Sequence, residues 1–468
     1  MPRATHPFAL ALAALASPCW SSAQGLPYTP YDDAGPVVEA MREALPAGLA
    51  GVPEDRLPSA WPAWARERDR AVRERLVRGE EDAVVNLLFF GASFTEAPRL
   101  AADTSSRTAT AETESLLSRR LQDLAAAVAG SGGDERLQLA RSVFTRQRPR
   151  AAVTDRTAVE SWLRDAVARV RREQAAFAAE LAQVRALPNA TSQLAARSKL
   201  FRDRGIALDT SLRPAFAVDE ALRDALERGL LTEGLVRRVA VVGPGLDFVE
   251  KAEGLDFYPP QSLQALALAD SLFRLGLSRP ESVSIIAFDI SPRVLDHLER
   301  ARERAAAGEG YVLQLPRPRQ GWAAPFVAYW QRLGDAVGKP AEAVRPPPSA
   351  GPLEVRAVRV KPEVAAAVQP LDLNVVYQRL DLPPAERFDL VVATNILVYY
   401  DTFEQCLALA NVTRMTAIGG LFLSNSSVLE LPGSALRSVG YKTVVFSDAP
   451  DDGEHVIFYR RLPSPPAR

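Results

Sequence analysis

Glycine and polar residues follow apolar, β-branched runs at several points in the second half of the chain. The first such run, RRVAVVGPG, ends in Gly243-Pro244-Gly245 and is followed by Asp247. Glycines at this position let the backbone approach a ligand closely, and a helix that follows can direct N–H groups at an anion. The turn is therefore a candidate ligand-binding loop. A plain strand-to-helix turn is the alternative interpretation.

Asp289 closes the second run, SVSIIAFD, and is followed by Ile290-Ser291-Pro292. A carboxylate at the end of such a strand can accept hydrogen bonds from both hydroxyls of an adenosine ribose. The alternative role for Asp289 is to cap the helix that begins at Pro292, which Ser291 could do equally well. The two roles are compatible.

Two further runs, VVYQR and FDLVVATN, are also followed by candidate binding residues. We expect Asp381 to end the third strand and meet the amino group of an adenine, while Leu380 packs on the ring. Asn395, Tyr399 and Tyr400 leave the fourth strand and face the opening of the same pocket. An aromatic ring there can hold a cation by cation–π attraction. For the tyrosines, packing beneath a helix is the alternative.

These residues are positioned by strands and helices that alternate from about residue 235 to the end. The alternation predicts a doubly wound, Rossmann-like α/β sheet. We expect strands at 236–242, 282–289, 373–381, 388–395 and 420–426, and helices at 261–275, 291–307, 401–415 and 433–439. The last two strands, 441–447 and 455–462, must be antiparallel, because a parallel crossover needs a dozen or more residues. The Pro-rich residues 308–370 are predicted to be an insertion over the sheet edge.

The first half of the chain has a different composition, dominated by Ala, Leu, Arg and Glu. Residues 63–234 show helical periodicity, which Gly79 and Gly91 interrupt, and predict an all-α domain. Residues 24–62 are predicted to be irregular, with a short helix near 37–45. Residues 1–23 resemble a secretory signal peptide, which would place the protein in the periplasm or outside the cell. A disordered leader on a cytoplasmic protein is the alternative.

Composition argues against several other classes of protein. The chain has 56 basic and 57 acidic side chains, so it has no positive excess to neutralise a nucleic-acid backbone. Its three histidines and two cysteines are widely separated and predict neither a metal site nor a disulfide framework. No segment is long and apolar enough to be a transmembrane helix.

The segments FDLVVATNILVYYD, GGLFLSNSS and FDISPRVLDHLERARERAAAGEGY resemble the CheR-type chemoreceptor glutamate methyltransferases, within the class I S-adenosylmethionine-dependent superfamily. The resemblance covers roughly residues 237–427. It implies a seven-stranded sheet closed by an antiparallel hairpin, and it places Tyr399 near the transferred methyl group. The contacts that it implies with S-adenosylmethionine are Gly243, Gly245, Asp289, Asp381 and Asn395.

The leading functional expectation is S-adenosylmethionine-dependent O-methyl transfer to a carboxylate, or to another small-molecule or protein acceptor. A carboxylate acceptor is already anionic and needs no general base. The helical domain and the insertion would select it.

Two other functions stay open. One is an exported, non-catalytic binding or scaffold protein, because the donor is made in the cytoplasm and the first loop departs from the Gly-x-x-x-Gly-Glu-Glu pattern of the CheR family. The other is an NAD-linked oxidoreductase. That reading expects an acidic residue about 20 residues after the glycines, whereas Asp289 comes much later.

Overall fold

The computed structural model describes residues 26–100, 110–188, 196, 200, 204–249, 255–449 and 451–463. Residues 1–23, the expected signal peptide, lie outside the described residues. Within the described chain, a helical N-terminal region precedes a mixed α/β region with a seven-stranded, mostly parallel sheet. The expected Rossmann-like class is therefore observed.

The N-terminal region is built from helices whose starts are encoded locally. Thr110, Asp134 and Asp155 each accept hydrogen bonds from backbone N–H groups in the first turn of a long helix, as N-cap residues do. The helices are α1 (Tyr31–Ala40), α2 (Ala47–Ala50), α3 (Leu57–Phe90), α4 (Ala111–Ala129), α5 (Glu135–Gln147), α6 (Arg156–Arg185) and α7 (Leu212–Glu227). Residues 24–62 are thus less irregular than expected, since α1, α2 and the start of α3 lie there.

The strands of the seven-stranded sheet are β1 (Arg238–Val242), β2 (Ser284–Asp289), β6 (Val368–Asp372), β7 (Phe388–Ala393), β8 (Thr416–Ser424), β9 (Leu436–Val445) and β10 (Gly453–Arg461). Their order across the sheet is β6-β2-β1-β7-β8-β10-β9. The chain leaves β1 towards β2 and β6 on one side and continues through β7 and β8 on the other. Ligands bind at the carboxyl ends of the strands where the order reverses in this way.

Three helices connect the parallel strands: α8 (Gln264–Arg274), α9 (Pro292–Ala306) and α12 (Thr402–Met415). The last one begins with a reciprocal capping box, in which Asp401 and Glu404 each accept from the other's backbone N–H. Because β1 and β2 are parallel neighbours, α8 must run back between them. Its N-terminus therefore lies at the carboxyl edge of the sheet.

The Pro-rich segment 308–370 is more regular than expected. It forms a second, three-stranded antiparallel sheet of order β3-β5-β4, from β3 (Tyr311–Pro318), β4 (Gly338–Ala341) and β5 (Leu353–Val360). Two helices, α10 (Ala324–Arg332) and α11 (Pro362–Ala366), accompany it.

The predicted third strand, 373–381, is wrong. The third strand is β6, which ends at Asp372 and pairs with β2. Its Pro370 is tolerated because β6 is an edge strand, where a missing N–H costs no ladder bond. The apolar residues that follow form a turn, in which the side chain of Asn374 accepts from Val376 N at 3.1 Å and Gln378 N donates to Asn374 O at 2.7 Å.

The C-terminal hairpin is confirmed. β9 and β10 pair antiparallel, and β10 also pairs antiparallel with β8. The short helix expected at 433–439 is wrong, because β9 already begins at Leu436.

Residues 204–211, here called the strap, connect the helical region to the site. Ile206 N donates to Arg75 O at 3.2 Å, so the strap crosses α3. A Cβ on Gly79 would lie 1.8 Å from Ile206 O, so only glycine admits the crossing. The prediction that Gly79 interrupts the helix is wrong, since α3 is continuous through it.

The core joins the helical region to the sheet. Trp64 of α3 packs edge-on against Tyr377 and Phe403, with ring centroids 5.9 Å and 5.7 Å away. These side chains belong to one buried cluster with Val391 of β7. No helix in the described part of the chain is long and apolar enough to cross a membrane.

Candidate functional site

A cavity of about 270 Å³ lies at the carboxyl edge of the sheet, where β1, β2 and β7 end. Loop residues after these strands form one wall and the strap forms another. Of the residues proposed from sequence, the cavity brings together Gly243, Gly245, Asp289, Asn395 and Tyr399.

The glycine turn adopts a backbone that favours glycine. Gly243 has φ +65° and Gly245 has φ +63°, both in the left-handed region. A Cβ on Gly243 would lie 2.0 Å from Ile396 Cδ1, and one on Gly245 would lie 2.7 Å from Leu208 O of the strap. The two glycines therefore allow the loop after β7 and the strap to close over the turn.

Asp289 ends β2 and is 8% exposed. Its carboxylate accepts from Ser291 N at 2.8 Å and from the backbone N–H groups of Gly245 and Ile290. A carboxylate offers about four lone-pair sites, so it retains capacity for a ligand hydroxyl. Burial raises the pKa of Asp289 to about 6, although these hydrogen bonds favour the ionised form.

Asn395 follows β7 and is the only non-glycine residue with positive φ, +60°, in the described part of the chain. Its backbone N–H donates to Asn425 Oδ1 at 2.8 Å, and its Oδ1 accepts from Asn425 Nδ2 at 2.6 Å. Asn425 also donates to Glu454. Such strained backbone persists only where the surroundings hold it, and it is common at functional sites.

Tyr399 lies on the cavity wall and is linked to the strap. Its hydroxyl accepts from Ala207 N at 3.3 Å, and its carbonyl accepts from Arg75 Nη1 at 2.9 Å. The guanidinium of Arg75 also lies over the ring, 6.0 Å from its centroid. Burial raises the pKa of Tyr399. The neighbouring Tyr400 is buried and also lines the cavity.

Three residues proposed as cofactor contacts do not line this cavity. Asp247 is buried on the far side of the turn, where it accepts from Tyr258 Oη at 2.7 Å and Gln261 Nε2 at 3.0 Å. Leu380 is buried in the core next to Met415. The Asp381 side chain is 94% exposed and pairs with Arg379. The last two were misplaced because the third strand ends earlier than predicted.

Other residues on the cavity wall were not proposed from sequence. Leu373, Asn374 and Val375 take the place after the third strand that was assigned to Leu380 and Asp381. Gln264 of α8 and Thr210 of the strap complete the wall near the glycine turn. The strap was not predicted, because Gly79 was expected to interrupt the helix that the strap crosses.

The described residues contain no group of three or more His, Cys, Asp or Glu side chains that could hold a metal ion.

Comparison with known proteins gave matches among solved structures only. No family model matches the chain, and no curated protein matches it. Human N-acetylserotonin methyltransferase, solved with S-adenosylmethionine, is 10% identical over 86% of this chain and 98% of its own, with a TM-score of 0.26. The N-methyltransferase NodS from Bradyrhizobium japonicum is 14% identical over 52% of this chain and 92% of its own, also with a TM-score of 0.26. LaPhzM is 14% identical over 86% of this chain, with the same TM-score.

Identities this low concern the fold alone, and the TM-scores are low as well. The resemblance to the CheR-type family stays an expectation.

Proposed function

We propose that this protein is an S-adenosylmethionine-dependent methyltransferase that transfers a methyl group to oxygen of a carboxylate, or to another small-molecule or protein acceptor. The observation that carries the proposal is the convergence of the glycine turn, Asp289, Asn395 and Tyr399 on one cavity at the reversal of strand order. Such a site suits a ligand with an adenosine portion.

Four features of the cavity fit the donor. Asp289 would accept hydrogen bonds from the ribose hydroxyls, and the turn, in which Gly243 and Gly245 carry no Cβ, would lie against the ligand. Apolar side chains near the end of β2 and after β6 would pack on the adenine; those on the cavity wall are Ile290, Val294, Leu373 and Val375. The ring of Tyr399 would face the cationic sulfonium.

The bound donor supplies an electrophilic methyl group for in-line displacement. The protein's contribution is positioning, which can account for a large share of the acceleration of such a transfer. Asn395 and Tyr399 are held by Asn425 and Arg75, respectively, so the wall next to the reacting centre is fixed before the acceptor arrives. A carboxylate acceptor needs no proton removed.

The test is equilibrium dialysis of the purified chain with S-adenosylmethionine and S-adenosylhomocysteine. We expect wild type to bind both, and Asp289→Ala to bind at least about tenfold more weakly, as for loss of hydrogen bonds to a charged group. Asp381→Ala is the matched control, because this aspartate is exposed and outside the cavity. If neither wild type nor Asp289→Ala bound S-adenosylmethionine or S-adenosylhomocysteine, the proposal would be ruled out.

Turnover needs a second measurement. Transfer from methyl-labelled donor to a carboxylate gives an ester whose label alkali releases as methanol, whereas label on nitrogen or on an ether oxygen stays. Volatile label after alkali therefore supports carboxylate methylation.

The second candidate function is an exported protein that binds through this fold without catalysis. The glycine turn favours it, because this turn differs from that of the CheR-type enzymes and already uses its N–H groups internally. Determining the mature N-terminus discriminates. If the protein is found in the cytoplasm with Met1 intact, it has access to the donor and the enzymatic role is favoured. If it is cleaved near residue 23 and exported, the non-catalytic role is favoured.

A further inference from the structure

The backbone donors of the glycine turn are already used within the protein. Each N–H from residue 243 to residue 247 donates to a protein acceptor, except at position 244, where proline has none. The pairs are Gly243 to Phe288 O at 2.7 Å, Gly245 to the Asp289 carboxylate, Leu246 to Leu208 O at 2.9 Å and Asp247 to Gln261 O at 2.7 Å. The turn can lie against a ligand, but it keeps no N–H group for an anion.

The helix that follows this turn was expected at 261–275, and a helix in this place can direct N–H groups at an anion. In the structure this helix, α8, begins at Gln264. Its N-terminus lies at the carboxyl edge of the sheet, and Gln264 lines the cavity. Leu263 at the N-cap position provides no side-chain acceptor. The first N–H groups of α8 therefore have no intrahelical partner and carry partial positive charge.

Thr210 gives a second, independent indication of a ligand in the cavity that Gln264 lines. The residue lines the cavity, is 6% exposed, and its Oγ1 is buried without a hydrogen-bond partner in the described structure. Its Cβ lies 3.3 Å from the position that a Cβ on Gly245 would occupy. A buried hydroxyl without a partner is unfavourable, because nothing compensates the hydration that it loses. The hydroxyl oxygen has almost no accessible surface in the cavity, so rotation about the Cα–Cβ bond would have to bring it to the ligand.

We infer that the Thr210 hydroxyl and the N-terminus of α8 at Gln264 bind the carboxylate of the donor's amino-acid portion, in place of the glycine turn. The inference rests on the proposed function and adds to it a basis for selectivity. The site distinguishes a nucleoside that carries an α-amino-acid carboxylate from the same nucleoside without it. The strap, which belongs to the helical region, thereby becomes part of the cofactor site.

The experiment compares two ligands that share the thioether nucleoside. S-adenosylhomocysteine has the amino-acid carboxylate, and 5′-methylthioadenosine lacks it. By calorimetry with the full chain, we expect Thr210→Val to weaken S-adenosylhomocysteine binding by about 3- to 10-fold, the range for one hydrogen bond. We expect Gln264→Glu to weaken it by charge repulsion. Both variants should bind 5′-methylthioadenosine like wild type, and Thr210→Ser should bind both ligands like wild type.

Thermal unfolding without ligand provides a readout that needs no bound donor. Valine has the shape of threonine and removes only the unpartnered hydroxyl, so Thr210→Val should unfold at the same or a higher temperature than wild type. The inference is overturned if Thr210→Val and Gln264→Glu weaken the binding of S-adenosylhomocysteine and 5′-methylthioadenosine by the same factor. It is also overturned if they weaken the binding of neither ligand. Both outcomes leave the proposed function standing. Failure of wild type to bind either ligand overturns both.

Discussion

At the scale of single residues, the site depends on ionisable groups whose pKa is shifted by burial. Asp289 is the clearest case, because three backbone N–H groups and a low-dielectric environment act on its carboxylate in opposite directions. Burial dominates and raises its pKa from 3.8 to about 6. The ionised form, which accepts ligand hydroxyls best, is therefore lost within an accessible pH range.

Binding of S-adenosylhomocysteine should depend on pH through Asp289. With a pKa of about 6, roughly a tenth of the carboxylate is ionised at pH 5 and nearly all at pH 7.5. We expect affinity to fall by about tenfold over that interval as pH decreases. Asp289→Asn, which does not titrate, should bind weakly and without this pH dependence. A variant that kept the wild-type profile would show that another group is responsible. Calorimetry at five pH values makes the measurement.

His297 predicts a pH dependence of stability instead of binding. Its Nε2 lies 2.7 Å from Tyr311 Oη, and burial with the nearby Arg300 and Arg304 lowers its pKa from 6.5 to about 4. The hydroxyl of Tyr311 also accepts from Ser262 N, and it can form its hydrogen bond with a neutral His297 in either tautomer. Because the folded pKa is depressed, the neutral histidine favours folding above pH 6.5, and this contribution is lost as pH falls towards 4.

The variant His297→Gln should lose this dependence, because glutamine can still accept from Tyr311 but does not titrate. We expect its free energy of unfolding, relative to wild type, to rise by about 2 kcal/mol between pH 7 and pH 4.5. Urea unfolding at both pH values checks this. Exposed His455 supplies the control variant, His455→Gln, which should follow wild type. Parallel curves for wild type and His297→Gln would contradict the assignment.

At the scale of elements, the sequence predicted those whose ends are marked by local chemistry. The closing hairpin follows from the short turn between its strands. The Gly243 turn and Asp289 were found because each directly follows a buried apolar strand. Local patterns of this kind need no knowledge of distant neighbours.

The elements that were not predicted from sequence are those whose structure depends on contacts with residues distant in the chain. β6 contains Pro370, which is typical of a loop, yet it is a strand because it pairs along β2. The apolar run after β6, which includes Val375 and Tyr377, was predicted to be a strand. In the structure these residues are buried in a turn under α3 and α12. That error moved the expected adenine contact to Asp381. The strap has no signal of its own, so Thr210 could not be found from sequence.

The crossing of α3 and the strap makes a prediction about Gly79. In an exposed helix interior, alanine is about 1 kcal/mol more favourable than glycine. Here a Cβ would lie 1.8 Å from Ile206 O, which is backbone and cannot rotate away. We therefore expect Gly79→Ala to destabilise the protein by about 2 kcal/mol or more, as overpacking does, and to speed amide hydrogen exchange at Ile206 and Thr210.

A matched control is Gly51→Ala, where no atom lies within 4 Å of the added Cβ. This variant should be as stable as wild type in urea unfolding. An unchanged or increased stability of Gly79→Ala would mean that the strap does not cross α3 as described.

At the scale of the whole molecule, the helical region and the sheet depend on each other. Arg136 of α5 is fully buried and donates to the carbonyls of Asp247, Phe248 and Tyr258 in the loop after β1. Buried charges are retained only where such partners compensate the lost hydration. With the strap and the packing of Trp64, this contact makes the helical region a structural part of the site.

The whole chain should therefore unfold in one cooperative transition. Trp64 is 6% exposed and contacts Tyr377 and Phe403, which lie on the sheet side of the shared cluster. We expect Trp64→Ala to cost about 3–5 kcal/mol, as for large buried aromatic side chains, and to lower amide protection in β7 as much as in α3. Hydrogen exchange with denaturant unfolding followed by far-ultraviolet circular dichroism measures both. Val77→Ala is the control on the same helix, because Val77 is 41% exposed and should change stability little. Two separate transitions, with only the helical one shifted by Trp64→Ala, would show that the regions fold independently and that the strap is not held by a common core.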